Sequence, residues 1–308
     1  MKGLELAKAY YEQYGLPMLQ QQFPQYMDRI AVGLVGHGSE CFGFDDGISR
    51  DHDFEPGFCL WLTPEDEKEF GFKLFRAYRK LPKEFGGVQI EQKSLFGADG
   101  KGVHTIDDFY AFYTGTGRAP ESNEEWLAIP DCYLAEATNG EVWSDPLGVF
   151  SAIRETLKNG MPEDVRLKKL ASAVFHMAQK GQYNYARCLA HGEKAAAALM
   201  LAGFARAAAG AVFLCNRAHA PYDKWLFRAL RALPLLGTQT ADRLEMLLAA
   251  PYDGTGNTQL IEQICADVAQ QIRAQDLSER TEAYLEGYAY CIRDKIRDNN
   301  LRNSPVML

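Results

Sequence analysis

Long apolar runs are missing from this chain. No window approaches the roughly 20 uninterrupted apolar residues of a membrane-spanning helix, so no span is expected. The nearest approach, residues 195–213, is alanine-rich and interrupted by Arg206, which marks a packed helix. The N-terminal MKGLELAKAYYEQYG is amphipathic and lacks the apolar core of a secretion signal. No C-x-x-C occurs: the seven cysteines (41, 59, 132, 188, 215, 265 and 291) are odd in number and scattered. Reduced thiols in a cytoplasmic protein are therefore expected, not a disulfide framework or a zinc site. Positive charge is in deficit, with 33 Lys and Arg against 41 Asp and Glu and a net charge of −8. That argues against a long nucleic acid as main partner, though a local basic cleft is compatible with it. Internal repeats and low-complexity tracts are absent too. What remains is 308 residues, 47% hydrophobic and 24% charged, enough for two domains with sizeable cores.

The most informative stretch is residues 30–63. It opens with Ile30-Ala31-Val32-Gly33-Leu34-Val35, short, apolar and partly β-branched, as a buried strand is. The run ends in Gly36-His37-Gly38-Ser39, where glycines allow close backbone approach to a ligand and Ser39 adds a hydroxyl. A Gly- and Asp-rich loop leads to Asp51-His52-Asp53-Phe54, and Phe58 to Leu62 resumes apolar sequence. In an extended segment, residues two apart share a face, so the Asp51 and Asp53 carboxylates point the same way. Two such carboxylates repel unless a cation lies between them, and hard oxygen ligands suit Mg²⁺. A glycine-serine turn for phosphates beside a carboxylate pair for ions is what phosphoryl or nucleotidyl transfer requires. The plain alternatives are a solvated acidic turn and an ordinary strand-ending turn.

The Gly38-Ser39 pair, eleven residues and Asp51-x-Asp53 resemble the signature of the DNA polymerase beta-type nucleotidyltransferase superfamily. The wording from Gly38-Ser39-Glu40 through Gly43-Phe44-Asp45 to Ser49-Arg50-Asp51-His52-Asp53 is similar to one bacterial family of it, designated a domain of unknown function. Later stretches match that family as well: residues 134–142 (LAEATNGEV), Gly181-Gln182-Tyr183-Asn184-Tyr185-x-Arg187, Asn216-Arg217 and Pro221-Tyr222-x-Lys224-Trp225. The resemblance implies a Mg²⁺-dependent enzyme, with two ions on Asp51 and Asp53, that moves a nucleoside monophosphate from an NTP, with ATP the leading candidate. The acceptor would be a hydroxyl of a small molecule or a protein. Gly38 and Ser39 would bind the nucleotide phosphates. The competing class is a catalytically weak nucleotide sensor or an antitoxin-like partner-binding protein.

This chemistry wants a third carboxylate to bind an ion or take the acceptor's proton. Glu91, on the strand candidate 88–91, is the first choice and Asp107 the second; a solvated edge position is the plain alternative for Glu91. His37 either caps the turn or touches phosphate. His52-Asp53 spells the pair of metal phosphohydrolases, but those pairs sit in helices and Pro56-Gly57 follows here. Arg187 and His191 are too close for the Arg-His spacing of helical ribonucleases. In the C-terminal part, Lys168, Lys169, Arg187, Arg217, Lys224 and Arg228 lie near Tyr183, Tyr185, Tyr222 and Trp225. Arg187 and Lys224, inside the family-like stretches, are the expected nucleotide-binding cations, with polar helix faces as the alternative.

Hydrophobic spacing predicts helices over 3–28 and from the Thr63-Pro64 start to Lys80. Strands are expected at 88–91 and 103–106 and a helix at 107–113. From residue 147 the pattern is helical throughout, over 162–190, 193–218, 221–233, 258–275 and 279–298, the last capped by Ser278. The expected fold is therefore α+β: a nucleotidyltransferase-like mixed sheet with flanking helices over 1–146, then an all-α helical bundle over 147–308. The cleft between them would hold the nucleotide.

Overall fold

The computed structural model describes residues 1–48, 55–89 and 100–308. Among the described residues there are six strands: β1 (Ala31–Leu34), β2 (Cys59–Leu62), β3 (Glu84–Phe85), β4 (Val88–Gln89), β5 (Gly102–Thr105) and β6 (Glu141–Ser144). Four of them form a mixed sheet in the order β5-β2-β1-β6. Strand β1 runs antiparallel to β2 and β6, and β2 runs parallel to β5. With helices on both faces, this is the α+β architecture expected. The two central strands read as unbroken apolar sequence because every residue in them is buried.

Alternation along the strands sorts two cores. Val32, Leu60 and Leu62 point to one face, under Tyr10, Met18, Leu19, Phe70 and Leu74. Trp61 points to the other, stacking at 4.0 Å on Phe150 of helix Val149–Asn159 and meeting Phe109 of helix Ile106–Thr114 edge-on. The Tyr78 hydroxyl fastens the start of β2 by donating to the Phe58 carbonyl (2.8 Å) and accepting from its N–H (3.2 Å). Thr63 caps the following helix, its hydroxyl accepting from the Asp66 N–H at 3.2 Å.

Two expectations for this part are corrected. The N-terminal helix is a broken run: Gly3–Tyr10, a wider π-type turn at Tyr11–Gly15, Leu16–Gln22, and a tight 3₁₀ segment at Pro24–Arg29. Val88–Gln89 pairs with Glu84–Phe85 in a separate two-stranded hairpin and not in the main sheet. Glu91 itself lies outside the described residues. Strand β6, by contrast, was not anticipated. It pairs with β1 across an irregularity at Val32/Gly33, where a Cβ on Gly33 would sit 2.3 Å from the Glu141 carbonyl oxygen.

The chain divides into two compact units, residues 1–121 with 133–160, and residues 122–132 with 161–308. The second is entirely helical among the described residues. Its helix Lys194–Cys215 is long and apolar enough by composition to cross a membrane. Within this unit, however, it is a core helix, with Phe204, Ala208 and Val212 fully buried and Glu163–Met177 alongside. The expected helix 279–298 is shorter. It spans Glu286–Asp294, and the Ser278 hydroxyl closes a turn by accepting from the Arg280 N–H (3.2 Å) instead of capping a helix. Gln182 holds the preceding loop, accepting from the Leu285 N–H (2.9 Å) and donating to the Ala283 carbonyl (3.0 Å).

Candidate functional site

Strand β1 delivers the chain to a turn that bends only because glycine occupies two of its positions. Gly36 and Gly38 have φ of 118° and 113°, a region that L side chains rarely enter. At Gly38 a Cβ would also lie 2.4 Å from Glu40 Oε2, so that carboxylate would have to move. Asn139, in the turn before β6, holds Gly36 from both sides. Its Oδ1 accepts from the Gly36 N–H (2.9 Å) and its Nδ2 donates to the Gly36 carbonyl (2.8 Å). Arg154 braces that turn in its own right, Nη2 donating to the carbonyls of Thr138, Asn139 and Gly140 at 2.8 to 3.2 Å.

Beyond the turn, backbone bonds from Gly43 to Glu40 and from Phe44 to Ser39 curl the loop back on itself. Lys2 Nζ reaches the Gly43 carbonyl (2.7 Å) and the Gly3 N–H reaches Asp45 (2.9 Å), tying the loop to the N-terminal helix. Glu40 is buried and ion-paired with Lys101 at 3.2 Å; Lys101 also donates to the Glu55 carbonyl at 2.8 Å. Burial without that partner would leave a carboxylate uncompensated.

His37 has a different setting. Its Nδ1 lies 2.7 Å from Glu136, its ring meets Phe112 edge-on at 5.1 Å, and half its side chain is exposed. The Glu136 carboxylate beside the ring raises the imidazole pKa against the opposing effect of burial. Cys41 and Cys59 are buried beside this region, and burial pushes both thiols up, Cys59 to about 12. They are inert thiols, not nucleophiles.

Of the residues expected at the site, Gly38 and Ser39 are in the β1 turn; Asp51, Asp53 and Glu91 lie outside the described residues. Asp107 is exposed in the first turn of helix Ile106–Thr114. Among the described residues no group of three or more His, Cys, Asp or Glu is placed to hold a metal ion. In the helical unit, Arg187 and Lys224 are exposed, each over an aromatic ring: Arg187 on Tyr183 at 5.0 Å, Lys224 on Trp225 at 4.9 Å. Others of the basic set are committed elsewhere. Lys168 is fully buried and donates to the carbonyls of Leu301, Ser304 and Pro305, fastening the C-terminal segment. Lys169 pairs with Asp131 (2.7 Å) and Arg217 with Glu163 (2.8 Å).

Sequence reading assigned no role to Asn139, Glu136, Glu40 or Lys101. Asn139-Gly140 is a turn dipeptide in its own right, and that signal marked the place if not the partner.

The class these features define is an α+β protein with a glycine-lined turn at the end of a central strand. Residues 126–226 match a domain of unknown function (DUF4037), a span that includes Glu136, Asn139, Arg154, Arg187 and Lys224. No curated protein matches the chain. A solved nucleotidyltransferase-like protein from Exiguobacterium sibiricum 255-15 aligns over 91% of this chain and 79% of its own, at 9% identity and a TM-score of 0.38.

Proposed function

We propose that this protein is a Mg²⁺-dependent nucleotidyltransferase that moves a nucleoside monophosphate from an NTP, ATP first among them, to a hydroxyl of a small molecule or protein. The observation that carries the reading is the Gly36–Ser39 turn at the end of buried β1, held by Asn139, with eleven residues between Ser39 and Asp51-x-Asp53. Backbone N–H groups of such a turn, with the Ser39 hydroxyl, suit the terminal phosphates of a nucleotide. Asp51 and Asp53 supply the two hard carboxylates that Mg²⁺ prefers, and the bound ion would offset phosphate charge. In the transfer, the acceptor oxygen bonds to the α-phosphorus and pyrophosphate leaves with the electron pair of the broken bond. The acceptor's proton passes to a carboxylate, with Glu91 in that role.

The test is pyrophosphate release with each NTP and Mg²⁺, run beside plain NTP binding. Asp51→Asn and Asp53→Asn should each abolish Mg²⁺-dependent NTP binding and leave the thermal transition in place, because removing a carboxylate relieves repulsion and opens no cavity. Loss of the folded state in either variant would make the pair structural and end this reading. NTP binding without pyrophosphate release, against a panel of hydroxyl acceptors, would favour a nucleotide sensor or a partner-binding protein instead.

A further inference from the structure

We propose that His37 is a phosphate-contacting residue: its Nε2–H donates to the terminal phosphates held at the Gly36–Ser39 turn. The identity of the ligand as an NTP rests on the transferase reading, whereas the anion chemistry rests on the turn itself.

Three observations point the same way. First, the two ring nitrogens are not equivalent. Nδ1 is committed to Glu136 at 2.7 Å, and Nε2 has no partner among the described residues. Second, the ring is placed and not free to wander, with Phe112 edge-on at 5.1 Å and Tyr113 at 6.0 Å. It is nevertheless 51% exposed, while Glu136 behind it is 15% exposed. Third, the flanking residues are both glycines at positive φ, so neither chain neighbour puts a side chain beside the imidazole, and Ser39 follows two residues on.

The chemistry selects the ligand. With Nδ1 facing the Glu136 carboxylate, Nε2 is the ring's remaining polar atom, and the raised pKa favours the doubly protonated form in which that atom is a donor. Among the described residues, two carboxylates beside the turn are already paired. Glu40 is neutralised by Lys101, Glu136 is spent on His37, and burial keeps the Tyr113 phenol neutral by raising its pKa. With an exposed donor beside a glycine turn, the acceptor that fits is a phosphate oxygen. Glu136 is then a positioning residue, fixing which nitrogen faces the ligand.

The experiment titrates the full chain with inorganic tripolyphosphate and with ATP, by calorimetry and by the imidazole proton signals. Tripolyphosphate should shift the His37 signals, and His37→Gln should weaken both ligands by about ten- to a hundredfold, the scale of one charge-assisted contact. Glu136→Gln should weaken them less and move the His37 titration to lower pH, a readout that a packing role would not shift. Unchanged tripolyphosphate affinity in His37→Gln, or wild-type protein that ignores tripolyphosphate, would overturn the assignment. Tripolyphosphate binding through His37 without pyrophosphate release from any NTP would instead sink the transferase reading and leave this contact standing.

Discussion

At the scale of single residues, the turn after β1 depends on one side-chain amide. Asn139 satisfies both backbone groups of Gly36 with a separate donor and acceptor atom, which Gln, the other amide, carries on a longer stem. Asn139→Ala should therefore cost about 2–4 kcal/mol, the sum of two partly buried polar groups left unpaired. Urea denaturation would measure it, and a loss under about 0.5 kcal/mol, the range of ordinary surface changes, would show that water replaces the amide freely. Phosphate affinity should fall with it, because the turn it holds is the one that carries Gly38 and Ser39. The candidate residues Gly38, Ser39, Asp51 and Asp53 were proposed from their type and spacing; the structure has Gly38 and Ser39 in the turn after β1, and the two aspartates lie outside the described residues. The support of that turn was not legible in the sequence. The Asn139 partner lies 103 residues away, and no local pattern says which carbonyl an amide will meet. Glu40 and Lys101, 61 positions apart in a chain with many of each, were hidden for the same reason.

At the scale of elements, what could be read depended on burial. Strands β1 and β2 stood out because central strands are apolar at every position, and helix Lys194–Cys215 because its alanines and large apolar residues repeat at helical spacing. Strand β6, Glu-Val-Trp-Ser, is four residues long, only partly buried, and paired across an irregularity, so it carries no such signal. Ser278 looked like a cap because Ser is a good one, but Gln182 holds the chain after it in an irregular loop, and tertiary contacts outweighed the local preference. The family-like stretches of the helical unit divide the same way. Gln182, Tyr185 and Asn216 are committed inside it: the Tyr185 hydroxyl donates to the Tyr252 carbonyl at 2.7 Å, and Asn216 binds both the N–H and the carbonyl of Leu235 at 2.9 Å. Arg187 and Lys224 are not so committed; their cations rest on aromatic rings, Tyr183 exposed and Trp225 half-buried. We keep them as proposed phosphate contacts. Arg187→Ala and Lys224→Ala should each weaken NTP binding by roughly 1.5–3 kcal/mol with little change in melting temperature. Each cation–π contact at an exposed site is worth about 0.5–1 kcal/mol at most, too little to move the melting point far. Equal affinity in both variants and wild type would leave the two cations as surface residues.

At the scale of the whole molecule, the division into units does not follow the chain. Residues 122–132 belong with 161–308, and what binds them there is specific. Helix Asn123–Ala128 packs on Glu163–Met177. Asn123 donates to Asp298 at 2.8 Å, the same aspartate whose other oxygen caps the last helix through the N–H groups of Asn300 and Leu301. Lys169 donates to the Ile129 carbonyl (3.1 Å) and to Asp131 (2.7 Å). Trp126 and Ile129 are both buried. A fragment cut at residue 161 keeps every long helix of the unit yet loses all of these contacts, exposes the apolar surface that they cover, and leaves Lys169 without its two acceptors. Burial of two large apolar side chains is worth about 3–6 kcal/mol. For a chain of this size that is roughly 6–24 °C in melting temperature, at about 2–4 °C per kcal/mol. We therefore expect residues 161–308 alone to melt far below the same fragment with residues 122–132 rejoined ahead of it through a flexible linker, as followed by circular dichroism. Asn123→Ala in the rejoined fragment should recover a small part of the difference and Trp126→Ala a large part, because the first removes one hydrogen bond and the second opens a cavity. If the two fragments melt together, the 122–132 segment contributes nothing to the helical unit, and that unit begins at residue 161.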